Sequence, residues 1–260
     1  MAYLPGTESA VSSNTKTMAD YFKQLSSGKR INSAADDAAG LAIANKLGAQ
    51  ANGLVVGIRN TEDMQSLLKT ADGGLDVMSG ALQRVRELGV QAMNGIYTDE
   101  DKALIQNEVS GLLDDVKSYA QSTQFNSIKV LDGSFVDKNL ASDPNGSGMK
   151  ISIANSTLES LGLDNFNVTG SFDLSAVDNA INAVNEARSK IGAQISGADY
   201  IISANEIAYI NAAGAKSRVE DADMAEASTN LNKTKFLEQA QIYSMKSQMD
   251  MLKQKSGILM

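Results

Sequence analysis

The chain has 260 residues and contains no histidine and no cysteine, which removes the usual general base, imidazole and thiolate metal ligands, thiol nucleophiles and disulfides. Carboxylates, lysines and hydroxyls remain, so a glycosidase-like or Ser–Lys arrangement is the residual enzymatic reading; no catalytic residue, cofactor or metal is expected. With 31 acidic against 23 basic residues and a net charge of -8, the chain is a poor partner for a phosphate backbone, and no nucleic acid is expected.

Aromatic residues make up 5% of the chain, tryptophan is absent and there are 11 methionines, a palette suited to thin helix–helix seams. Proline occurs only at Pro5 and Pro144, so long helices are permitted. The opening residues lack a basic head followed by an apolar stretch, so no secretory signal peptide is expected. Apolar runs such as Leu54-Val55-Val56 stop at Gly57, far short of the roughly 20 residues a bilayer crossing needs. No membrane partner is expected.

In chain order, Met18, Phe22 and Leu25 form a narrow stripe on a polar segment. After the Ser27-Gly28 turn, Ser33 with Asp36 reads as a capping box, which makes Asp36-Asp37 a helix start rather than a catalytic pair. A helix is then predicted from about residue 39 to 94, with Ala44, Leu47, Ala51, Leu54 and Ile58 leading into the heptad seam Met64, Leu68, Ala71, Leu75, Met78, Leu82 and Val85. At 1.5 Å per residue it would be roughly 80 Å long, and the molecule is expected to be a rod.

Asn94-Gly95 breaks the pattern, and Thr98 with Asp101 reads as a capping box for a helix turning Leu104, Ile105, Val109, Leu112, Val116 and Tyr119 inward. Beyond Phe125, Asp132-Gly133, Asn145-Gly146 and the alternation Met149, Ile151, Ile153 signal short β-hairpins. Ser175 with Asp178 reads as the cap of a further helix. Its seam is Ile181, Val184, Ile191, Ile195, Ala198, Ile202, Tyr209 and Ala212, with Arg188 and Asn205 as polar register-setting positions. Near the end, Ile242, Met245, Met249 and Leu252 form a second thin stripe.

The terminal stripes are too narrow to hold helices alone, so they need each other or copies of themselves. Glu220, Asp221 and Asp223 read as a solvated or partner-facing acidic turn rather than a metal site. The expected fold class is mainly α, an elongated coiled-coil-like helical hairpin or bundle with a small β-hairpin insertion.

The stretch from Leu25 through Ser27-Gly28-Lys29-Arg30-Ile31-Asn32-Ser33-Ala34-Ala35-Asp36-Asp37 to Gly40 resembles the N-terminal signature of bacterial flagellins. The resemblance continues at Leu82-Gln83-Arg84-Val85-Arg86-Glu87-Leu88, Thr123-Gln124-Phe125-Asn126, Ala187-Arg188-Ser189-Lys190-Ile191-Gly192 and Ser217-Arg218-Val219-Glu220-Asp221-Ala222-Asp223. It implies a structural, non-enzymatic subunit of the extracellular flagellar filament, exported by the flagellar type III system without a signal peptide. It also implies self-polymerisation, an export chaperone, a cap protein and a host Toll-like receptor as partners. A hook–filament junction protein is the alternative.

In that frame residues 1–35 and 222–260 would form the inner filament core, 36–126 and 176–221 the helical stem, and 127–175 a β-hairpin part of the stem. Polymerisation is assigned to Met18, Phe22, Leu25, Ile242, Met245, Met249 and Leu252. Receptor binding and the axial subunit contact are assigned to Arg84, Leu88 and Glu108. Arg84 and Leu88, four residues apart, are expected to share one face, and Gly89 to weaken the helix beside them.

Overall fold

The computed structural model describes residues 5–258, with side chains from 9 to 254 apart from Leu252. Among these residues there are five helices, α1 (Pro5–Ser27), α2 (Ala38–Ala92), α3 (Asp99–Ser122), α4 (Ser175–Glu220) and α5 (Met224–Ile258). Two antiparallel two-stranded sheets, β1 (Gln124–Phe125) with β2 (Ile128–Lys129) and β3 (Lys138–Asn139) with β4 (Lys150–Ile151), lie between α3 and α4. No described helix is long and apolar enough to cross a membrane. The fold is mainly α with a small β insertion, and the chain divides into one unit of residues up to 49 and from 211 onward and a second of residues 50–210.

The second unit has a dry core. Leu68, Ala71, Leu75, Met78, Leu82 and Val85 are all fully buried, as their alternating three- and four-residue spacing on α2 predicts. They join Ile105, Val109, Leu113, Val116 and Ala120 of α3 and Val184, Ala187 and Ile191 of α4 in one cluster. Thr98 caps α3 through a full capping box with Asp101, whose carboxyl is held below its ordinary range by the backbone N–H and hydroxyl of Thr98.

The inward face of α3 differs from the expected one. Leu104 and Tyr119 are 69% and 41% exposed, because Leu104 adjoins Ile105 and only one of two sequential residues can face a thin seam. Tyr209 of α4 is likewise exposed. Ser175 is the first residue of α4 rather than its cap: Asp173 accepts both the Ser175 N–H and its hydroxyl, while Asp178 pairs with Arg86 at 2.6 Å.

The β insertion is held by backbone contacts. Asn126 and Ser127 both have positive φ (47° and 64°), the type I′ pattern that matches strand twist in a two-residue hairpin. The loop after β3 is seated between two helices. Ser142 O accepts the Asn205 side-chain amide at 2.9 Å, Ala141 O accepts that of Asn60 at 2.8 Å, and a Cβ at Gly57 would lie 1.9 Å from Ser142 O. Glycine at position 57 is therefore required by the approach of the backbone.

In the first unit α1 packs along α5. Gly28 (φ 71°) ends α1 in the left-handed conformation, its N–H donating to Gln24 O at 2.8 Å. The following segment is stitched to the α4–α5 junction: Arg30 N–H donates to Glu220 O and Ala222 N–H to Gly28 O, at 2.7 and 2.9 Å.

The capping box expected at Ser33 is displaced. Asp36 accepts the N–H groups of Asn32 and Ser33, closing a turn, and Asp37 caps α2 by accepting the Gly40 N–H at 2.8 Å. At Gly40 an added Cβ would meet Asp37 and Ile31 side-chain atoms at 2.3 and 2.6 Å, so a larger residue there would displace the capping carboxylate.

Candidate functional site

The acidic residues Glu220, Asp221 and Asp223 are each engaged in structural contacts. Glu220 is 6% exposed and takes Lys29 Nζ at 2.6 Å and Lys216 Nζ at 3.6 Å. The Lys29 hydrogen bond and charge hold its carboxyl below the usual glutamate range against the opposing effect of burial. Asp221 accepts from Ser217 Oγ, and Asp223 accepts the N–H groups of Ala225 and Glu226 at the start of α5. Among the described residues no cluster of three or more acidic side chains could hold a metal ion. A groove of about 570 Å³ lined by Asn60, Asp63, Met64, Phe125 and Leu140 has one titratable group, Asp63, so it lacks a general acid–base pair.

The residues assigned to recognition separate on folding. Arg84 Nη2 meets Glu108 Oε1 at 2.8 Å and Arg84 Nη1 meets Glu87 Oε2 at 3.1 Å, with all three side chains about half-exposed or more. These acceptors stabilise the charged guanidinium and raise its pKa, Glu108 most. Arg84 and Glu108 thus form one exposed ion pair across α2 and α3.

Leu88 does not share their face. It is 2% exposed and belongs to the core, because it continues the seam at Val85, Leu88 and Ala92 whereas Arg84 lies beside that seam. Gly89 serves packing: a Cβ there would lie 2.5 Å from Leu174 Cδ2.

The residues assigned to polymerisation split between two faces. Met18, Leu25 and Met245 are half-buried. Phe22, Ile242 and Met249 are 55%, 48% and 50% exposed, although Lys235 Nζ stands 5.4 Å from the Phe22 ring centroid. Leu252 lies outside the described side chains.

The seam of α5 runs instead through Ala227, Leu231, Thr234, Glu238, Gln241 and Met245. Asn14 donates to Thr234 O at 2.9 Å and the Thr15 hydroxyl donates to Glu238 at 3.4 Å. Phe236, Tyr243 and Met251 are 70%, 77% and 55% exposed, so α5 turns polar groups inward and much of its apolar surface outward. The apolar pattern of the sequence carried no sign of this polar seam.

Two family models match the chain, the bacterial flagellin N-terminal helical region over residues 5–136 and the bacterial flagellin C-terminal helical region over residues 174–256. The flagellar filament core protein flaB2 of Brachyspira hyodysenteriae is 39% identical over 239 residues, covering 84% of each chain. The flagellin of Halalkalibacterium halodurans is 36% identical over 227 residues, covering 84% of this chain and 83% of that one. A crystal structure of Bacillus cereus flagellin aligns at 27% identity and a TM-score of 0.49, covering 56% of this chain and 88% of that one. With both terminal helical regions and these relatives matched over most of its length, the chain belongs to the bacterial flagellin family.

Proposed function

We propose that this flagellin polymerises through the outward apolar face of its terminal helices, with Phe22, Ile242 and Met249 buried against neighbouring copies and Met18, Leu25, Met245 and Leu252 completing the core. One observation carries the reading: α5 presents Phe236, Ile242, Tyr243, Met249 and Met251 to solvent while polar side chains occupy its seam with α1. Stacking copies removes that surface from water and offsets the cost of ordering two helices. Repeated head-to-tail contacts that do not close generate a helical filament.

In this proposal residues 1–35 and 222–260 line the inner filament core, residues 36–126 and 176–221 form the stem, and 127–175 its hairpin part. The subunit reaches the growing tip through the flagellar export channel with a chaperone and is placed beneath a cap protein; its role is structural. Met249→Asp tests the assembly face, because a charge buried without a partner is costly. The variant should leave the second unit folded by circular dichroism and yield no filaments on seeding; normal filament yield overturns the assignment.

The exposed Arg84–Glu108 pair supports a second role, recognition of the monomer by a host Toll-like receptor and, within the filament, the axial contact. In this reading Leu88, buried in the core of the second unit, supports the α2 surface that carries Arg84. Arg84→Ala should weaken monomer binding to the receptor ectodomain by about 1–3 kcal/mol, the scale of a hot-spot truncation. Equal affinity of variant and parent in a titration removes Arg84 from that site.

A further inference from the structure

We propose that Asn94 is a site of spontaneous deamidation directed by the α2–α3 turn. The sequence has three Asn-Gly pairs, Asn52-Gly53, Asn94-Gly95 and Asn145-Gly146, and their chemistry is the same. The backbone nitrogen of the glycine attacks Cγ of the asparagine, an N–Cγ bond forms, the Cγ–Nδ2 bond breaks, and ammonia departs with the proton of the attacking nitrogen. Water then opens the cyclic imide at either carbonyl, giving aspartate or isoaspartate.

The structure distinguishes the three sites. Asn52-Gly53 lies inside α2, where the helical ladder occupies the Gly53 N–H. At Asn145 the attacking group is engaged, because Gly146 N–H donates to Asp143 O at 2.9 Å. Asn94 and Gly95 are exposed in the turn, and the Gly95 N–H has no hydrogen-bond partner among the described residues. No atom lies within 4 Å of a Cβ built on Gly95, so approach is unhindered.

Asn94 Oδ1 also accepts the Ile96 N–H at 3.3 Å. That bond folds the side chain over the Gly95 peptide and aims a donor at the oxygen that gains negative charge as the amide is attacked. The product places a carboxylate past the C-terminal end of α2, against the helix dipole, in the turn that leads to the acidic first turn of α3 at Asp99, Glu100 and Asp101.

The test is peptide mapping by mass spectrometry, with enzymatic labelling of isoaspartate, after warm, mildly alkaline incubation of the full chain. In the native protein Asn94 should convert at least about tenfold faster than Asn145 or Asn52, and the difference should collapse in denaturant. Ile96→Pro, which deletes the N–H donor, should slow Asn94 about tenfold; Gly95→Ala, which crowds the nucleophile where the fold has room, should slow it as well. Native conversion at Asn145 as fast as at Asn94, or an Asn94 rate unmoved by both substitutions, overturns the proposal.

Discussion

The dry seam of the second unit and the polar seam between α1 and α5 share heptad spacing and differ in chemistry. Along α2 the inward positions from Leu68 to Val85 are apolar and fully buried, each large side chain contributing about 1.5–3 kcal/mol. Along α5 the inward positions after Leu231 are Thr234, Glu238, Gln241 and Met245, and Gln241 Oε1 is buried without a partner. Heptad spacing is thus common to both seams, and the apolar pattern marks the inward face only on α2, since on α5 Ile242 and Met249 turn outward. The first seam is a continuous apolar core, whereas the second places polar side chains between its helices and leaves Phe236, Tyr243 and Met251 exposed.

The largest effect expected from breaking this contrast comes from Leu82→Ala, which leaves a cavity in the dry seam and should destabilise the second unit by about 2–5 kcal/mol in denaturant melts. The same truncation at exposed Met249 should leave the melt of the monomer nearly unchanged, and equal losses at the two positions would erase the distinction. Gln241→Leu sharpens it from the other side. Removing an unpaired buried carbonyl oxygen should stabilise the α1–α5 pair by roughly 1–2 kcal/mol, seen as slower hydrogen exchange in both helices with α2 unaffected.

The smallest expected effect is a pH dependence at the Lys29–Glu220 pair. Glu220 is held below the ordinary glutamate range, so its contribution is complete above that range and is lost as pH falls through the lowered value. Lys29 is held above the ordinary lysine range, by Glu220 first, so its contribution is complete below that range and lost as pH rises through the raised value. Exchange at the Arg30 and Ala222 amides should quicken at both limits, and Glu220→Gln should flatten the acid limb and shrink the alkaline one. An unchanged acid limb in the variant would show that the stitch rests on its backbone bonds alone.

Where inward positions were uniformly apolar, the sequence was easy to read: the Leu68 to Val85 seam and the Thr98–Asp101 cap both stand where their spacing places them. It was ambiguous where apolar residues adjoin, as at Leu104-Ile105, since either can face a seam one residue wide. The β1–β2 turn carries no glycine signal, because Asn126-Ser127 adopts positive φ without one. Arg84 and Glu108 are singled out by the family resemblance and meet as an ion pair, but the burial of Leu88 follows only from the register of α2 against its neighbours. Asp37 rather than Ser33 caps α2, a choice between overlapping signals that only backbone geometry makes.

Arg188 and Asn205 both cross from α4, yet they mark its register differently. Arg188 reaches Asp72 and Asp76 at 2.9 and 2.8 Å, two carboxylates one turn apart on α2, so a slip of about 5.4 Å would leave it one partner. Asn205 has no such second position: its amide ends on Ser142 O, and that carbonyl is seated where Gly57 alone gives it room. The arginine keeps a partner after sliding by a turn and the asparagine loses its own, so the Asn205–Ser142–Gly57 contact marks the register of α4 against the loop after β3 more narrowly than the Arg188 pair marks that of α4 against α2.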